Sequence, residues 1–130
     1  MIATDSTVNE QGNGLLQSFL VNPVGSLSVA LNTTNSLGAN PQYIAALSNG
    51  KIGVVNTSTG SARVINTTDS GATFNVTAPV EYIQFPADVK KEEASNPSMI
   101  LEYGNELWIP DTVSGLSFDP RLALANEGFE

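Results

Sequence analysis

A proline-led phrase occurs twice in this chain. Ala39-Asn40-Pro41-Gln42-Tyr43-Ile44-Ala45 and Ser95-Asn96-Pro97-Ser98-Met99-Ile100-Leu101 align without a gap, and one deletion then lays Ile52-Gly53-Val54-Val55-Asn56 over Leu107-Trp108-Ile109-Pro110-Asp111. The prolines are 97 − 41 = 56 residues apart. A unit that recurs at such an interval builds an architecture in which each copy buries its apolar faces against its neighbours. Four strands fit between the prolines, so the unit reads as a four-stranded antiparallel meander, and meanders repeating at roughly fifty residues are propeller blades.

The strands follow from local pattern. Leu15 to Val21, containing Phe19, ends at Asn22-Pro23-Val24-Gly25, where Pro and Gly preset a reversal. Leu27, Val29 and Leu31 then alternate with Ser28 and Ala30, the period of a half-buried strand, and the two runs read as one hairpin. Gln42 to Leu47 and Lys51 to Asn56 flank Ser48-Asn49-Gly50 as a second hairpin. Ala45, Ala46 and Gly53 within it imply that something packs close to this backbone. After Ala62 to Asn66, residues Phe74, Val76, Ala78, Val80 and Tyr82 alternate with polar neighbours as one long strand. Pro79 has no N–H for a ladder, which puts that strand at an edge. Lys90-Lys91-Glu92-Glu93 reads as a solvated loop, and Pro97 to Tyr103 with Glu106 to Pro110 forms a third hairpin around Gly104-Asn105.

The expected fold is all-β, a partial β-propeller of about two blades of four-stranded antiparallel sheet. Residues 1–13 read as an N-terminal extension. Residues 14–115 supply the outer strands of one blade, a full second blade and the inner strands of a third, and 116–130 form a tail outside the pattern. In that tail Asp119-Pro120 is suited to start a short C-terminal helix through Ala125, with Gly128 as its stop. The competing architecture is a single β-sandwich of about eight short strands. Closing a ring takes at least about four blades, so the chain calls for further blades, for association with copies, or for an open stack with exposed blade faces.

Composition narrows the chemistry. No Cys and no His occur, which removes disulfides, thiol nucleophiles, Cys/His zinc sites and the imidazole base. Thirteen acidic residues against five basic give a net charge of −8, which repels phosphate backbones and anionic lipid heads. Nucleic acid and membrane are therefore not expected partners, and no metal or cofactor is expected. Residues 1–14 have neither the basic nor the apolar region of an export signal. Sequons at Asn32, Asn56, Asn66 and Asn75 are glycan acceptors if the protein passes through a secretory pathway.

Four phrases, Gly25-Ser26-Leu27-Ser28, Ala39 to Ile44, Asn49-Gly50-Lys51-Ile52-Gly53-Val54-Val55-Asn56 and Gly104-Asn105-Glu106-Leu107-Trp108-Ile109-Pro110-Asp111, together resemble the fungal branch of the seven-bladed lactonase propellers. That branch includes the carboxymuconate cyclases and is related to bacterial 6-phosphogluconolactonases. The resemblance covers about Gly14 to Gly115. It implies a family that opens or closes small carboxylated lactones with His, Arg and Glu at one mouth of a central channel, and a parent protein that is secreted or extracellular. Relatives tend to carry His beside the proline that starts the inner strand. Here the segment is Ser95-Asn96-Pro97-Ser98, so the resemblance implies the fold more than the activity.

Individual candidates follow. Glu102, on an expected inner strand, is the candidate acid or base, against the plainer reading of a solvated strand carboxylate. Trp108 with Tyr103 is a candidate stacking platform for carbohydrate, against a core role for the tryptophan. Arg63 is chemically able to bind a carboxylate but is expected on the surface, away from the channel. Asp111 and Glu106 lack calcium-loop spacing, and Gly12-Asn13-Gly14 reads as a turn. Two other uses remain: a non-enzymatic secreted or surface glycoprotein scaffold, and a module that self-associates through its blade faces.

Overall fold

The computed structural model describes residues 1–77, 79–86 and 95–111. The tail helix and the Lys90 to Glu93 loop lie outside the described residues.

Among the described residues the chain forms three antiparallel sheets. The first contains β1 (Ile2–Asp5), β2 (Leu15–Ser18) and β3 (Asn32–Asn35) in that order. In the second, β4 (Pro41–Ala46), β5 (Lys51–Asn56) and β6 (Ser61–Thr68) lie side by side, and β6 also pairs with β7 (Thr73–Phe74) and β8 (Glu81–Gln84). The third is the hairpin of β9 (Leu101–Tyr103) and β10 (Glu106–Trp108).

These sheets stack face to face, and period-two alternation decides which side chain goes to which neighbour. On β5, Ile52 and Val54 face the first sheet, where they pack with Leu16, Ile65, Phe74, Ile2 and Ile44. Val55 faces the third sheet and joins Ala62, Val64, Ile83, Phe85, Ile100, Leu107 and Ile109. Burying side chains of this size contributes roughly 2 kcal/mol each. Two separate apolar layers on opposite faces of one central sheet is the arrangement of successive blades, and it removes the single sealed core of a sandwich. Gly53 shows the close approach expected of it: a Cβ there would stand 2.7 Å from the Ile100 side chain.

The repeat persists in the hydrogen-bonded register. Pro41 pairs with Asn56 and Tyr43 with Val55, so β4 carries one extra residue beside its proline. Pro97 bridges Asp111 and Leu101 pairs with Trp108, so four steps along one strand again face three along the other. The offsets are 97 − 41 = 56 and 111 − 56 = 55, the single deletion of the sequence alignment. Sheet one repeats the outer half. Ser36 N–H donates to Gly14 O at 2.8 Å as Phe85 N–H donates to Gly60 O at 2.9 Å.

Three expectations are corrected. Leu15 to Val21 and Ser26 to Asn32 do not form a regular hairpin. Beyond the Ser18–Asn32 pair at its base they share scattered backbone bonds and one isolated bridge, Val21 with Leu27, and the regular strand starts only at Asn32. Leu27, Val29 and Leu31 are exposed, Val29 at 85%, because no sheet of the described residues covers that face. The long strand from Phe74 to Tyr82 is interrupted: Phe74 pairs with Thr67 and Glu81 with Val64. Six residues, 75–80, thus lie between pairings that only two, 65 and 66, separate on β6, a bow in which Val76 and Val80 are exposed. Finally, the first 13 residues are not merely an extension, since Ile2–Asp5 pairs along Leu15–Ser18.

Candidate functional site

Glu102 sits on β9 opposite Leu107, on the face turned toward the second sheet. One carboxylate oxygen accepts the Ser48 backbone N–H at 2.7 Å and the other accepts the Ser48 hydroxyl at 2.7 Å. Ser48 opens the turn Ser48–Gly50 between β4 and β5, in which Asn49 has φ 58. The carboxylate therefore caps a turn of the adjacent sheet and clamps two blades across 54 residues of sequence. Both oxygens accept hydrogen bonds from Ser48, a structural task that neither the acid–base reading nor that of a solvated strand carboxylate includes.

Arg63 corrects the expected surface placement. It lies on β6, on the side of Ile65, and is 7% exposed. The first sheet covers it: Nη1 donates to the Asn35 carbonyl oxygen and to Thr34 Oγ1. Burial pushes its pKa below the ordinary guanidinium value, but a guanidinium stays charged at neutral pH. Its Nε is buried without a partner. Among the described residues the ion pair is Lys51 with Glu81, at 2.9 Å, so the buried cation is held by carbonyl and hydroxyl oxygens.

Tyr103 and Trp108 do share a face. Leu101 pairs with Trp108 and Tyr103 with Glu106, so alternation turns all four away from the second sheet. Tyr103 is 74% exposed and Trp108 half-buried, while Leu107 and Ile109 on either side of it enter the apolar layer. The tryptophan is thus on the face of the hairpin turned away from the second sheet, with its Nε1 buried.

A position the sequence does not single out recurs at the end of the second strand of each unit. Asp5, Asn56 and Asp111 occupy it, each anchoring nearby backbone. Asp5 Oδ1 accepts from Thr7 N–H at 2.9 Å, which holds its carboxyl below the usual aspartate range. Asp111 accepts from Ser95 Oγ at 2.7 Å and from Asn96 N–H at 2.9 Å, fixing the approach to Pro97. Asn56 Nδ2 donates to Ser36 O at 2.9 Å and to Ser61 Oγ at 3.1 Å. The alignment of Asn56 with Asp111 was the available signal, since only a polar side chain of that length serves both.

Asn56 is fully buried, and the folded chain has no room for a glycan on that amide. Asn32 Oδ1 accepts Phe74 N–H at 2.9 Å. Asn66 is half-buried in β6, and Asn75 lies in the outward bow, its Oδ1 accepting Thr77 N–H and Oγ. Expressed in a secretory host, the protein is expected to carry glycan at Asn75 and none at Asn56. Site-resolved mass spectrometry of folded material decides this, and an occupied Asn56 would contradict the buried placement.

No cluster of three or more His, Cys, Asp or Glu placed to hold a metal occurs among the described residues. Also among them, no helix is long and apolar enough to cross a membrane.

No protein-family model matches the chain, and no curated protein matches it. Among solved structures it is similar to a Bacteroides fragilis protein carrying a provisional 6-phosphogluconolactonase assignment. The two share 22% sequence identity with a TM-score of 0.66 over 85% of this chain and 31% of that one. The chain thus spans about a third of that protein's length. At this identity the likeness speaks to architecture alone, and the fold of the described residues is that of a partial all-β propeller.

Proposed function

We propose that this chain is a structural portion of a lactonase-type propeller akin to the fungal carboxymuconate cyclases, and that it does not turn over lactones by itself. The substrate class of its complete relatives would be small carboxylated lactones. Opening or closing a lactone needs a group that moves a proton and a cation that holds the substrate carboxylate. The observation that carries the proposal is the use to which this chain puts its nearest equivalents: Glu102 is spent on Ser48, and Arg63 is enclosed between sheets against Asn35. With no histidine in the sequence, a third group of suitable pKa is not at hand.

The test is direct. Incubated with a gluconolactone and with a muconolactone, the folded protein is expected to change neither faster than a heat-denatured control. Turnover above that control that disappears in Glu102→Gln would overturn the proposal and restore Glu102 as the acid or base.

The scaffold reading is favoured by one observation, the outer face bearing Tyr103, Leu101 and Trp108, which offers aromatic and aliphatic surface suited to stacking on a sugar ring. Titration of Trp108 fluorescence with simple saccharides distinguishes it, and an unchanged spectrum at millimolar sugar argues against it.

A further inference from the structure

The chain contains the dipeptide Asn-Gly twice, at Asn13-Gly14 and at Asn49-Gly50. This pair is chemically fragile, because glycine has no Cβ to keep its amide nitrogen away from the side-chain amide that precedes it. The fold treats the two copies differently. Gly14 is buried and its N–H donates to Gly38 O at 2.8 Å, while Asn13 is tied to Asn9 through both its N–H and its carbonyl oxygen. Asn49 and Gly50 are exposed, and the Asn49 side chain makes no hydrogen bond among the described residues.

The turn between β4 and β5 calls for this dipeptide. Asn49 has φ 58 and Gly50 φ 71, inside a turn whose Ser48 carbonyl accepts the Lys51 N–H. Two successive positive angles of that kind favour Asn followed by Gly over other residues. The geometry that closes the hairpin therefore brings its chemical lability with it.

We propose that Asn49 is a site of spontaneous deamidation whose rate is set by the contact between the second and third sheets. On losing its proton to hydroxide, the Gly50 nitrogen bonds to Asn49 Cγ; the Cγ–Nδ2 bond breaks, and the nitrogen takes up a proton and leaves as ammonia. Water then opens the cyclic imide at either carbonyl, returning aspartate, or isoaspartate with the main chain running through the side chain.

Reaching Cγ requires rotation about the Asn49 Cα–C bond, away from ψ 32, and both flanks of the turn resist it. Glu102 of the third sheet holds Ser48 by its N–H and its hydroxyl, each at 2.7 Å, and Thr67 Oγ1 donates to Gly50 O at 2.6 Å. The joint between the sheets is thus the brake on the reaction. The coupling also runs the other way. Either product puts a second carboxylate one residue from the serine that Glu102 grips, and isoaspartate adds a methylene to the chain within the turn. Like charge and a longer loop both loosen Glu102 from Ser48. The inference depends on this turn alone and stands or falls independently of lactone chemistry.

Incubation of the intact protein in mildly alkaline buffer, well below its melting temperature, with fragmentation mass spectrometry of samples over time, tests it. Asn49 is expected to gain about one mass unit, as paired aspartate and isoaspartate products, about tenfold faster than Asn13. Glu102→Ala is expected to speed Asn49 about threefold and leave Asn13 unchanged, Asn13 serving as the reporter of global unfolding, which hastens both sites. Ser48→Ala, which keeps the backbone bond to Glu102 and removes the hydroxyl, is expected to give a smaller increase. Protein converted at Asn49 is expected to melt at a lower temperature than fresh protein. Conversion at Asn13 as fast as at Asn49 would overturn the assignment of the site. An Asn49 rate unchanged in both variants, or raised only in step with Asn13, would overturn its control by the third sheet.

Discussion

Gly60→Ala is expected to destabilise the protein by about 3 kcal/mol and to lower its melting temperature by roughly 10 °C. Two costs add. Gly60 has φ +62, a left-handed backbone that charges an L-residue about 1 kcal/mol. An alanine Cβ would also stand 2.6 Å from the Ser95 carbonyl oxygen, a backbone atom with no rotamer to escape into, which adds about 2 kcal/mol of overpacking. Gly25→Ala separates the two. Its φ is +86 but its Cβ would meet nothing within 4 Å, so only the first cost, about 1 kcal/mol, should appear. Urea unfolding of both variants reads the difference, and equal losses would mean that the Ser95 backbone does not lie against Gly60 as described.

The second large effect is expected at Arg63. Arg63→Ala removes the donor to the Asn35 carbonyl and the aliphatic stem packed between the first two sheets, together worth about 3 kcal/mol. Arg63→Met restores the stem and sheds a buried charge that has no carboxylate to offset its desolvation, so it should recover about half of that loss. Thermal and urea denaturation check both. If both variants lie within about 0.5 kcal/mol of the parent, the guanidinium is solvated and its enclosure is wrong.

Arg63 also shows how far the sequence could be read. Its place on β6, in alternation with Ala62 and Val64, was legible. Its burial was not, because period-two reasoning assigns a residue to a face and says nothing of whether another sheet covers that face. The same gap misled in reverse at Leu27, Val29 and Leu31, where an apolar face looked buried and is open. The inner hairpins were legible to within a few residues at their ends, and the bulge beside Pro41 and its copy beside Pro97 leave the one-residue deletion as their trace. The bow at residues 75–80 was invisible: Val76 and Val80 continue the alternation across it, and only the partner strand reveals four residues too many. β1 was passed over because four residues, Ile2 to Asp5, are too few to show a period. Of the candidate site, the shared face of Tyr103 and Trp108 could be read from their spacing, while the bond from Glu102 to Ser48 joins residues that nothing local relates.

The central sheet raises a problem of alignment during folding. Where one face of a sheet is wet, a strand that slips by a single residue turns its oily side to water and is corrected at once. Five of the six residues of β5 are buried, on both faces, so that penalty is nearly absent there: a slipped Lys51–Asn56 would still find hydrocarbon on either side. Correct alignment must then come from shape and from buried polar matches. Only Gly53 leaves space for Ile100, and only Asn56 reaches both Ser36 and Ser61. Substitutions at these two positions should accordingly spread neighbouring strands over several alignments, a heterogeneity that broadened amide resonances would register even where average stability falls little.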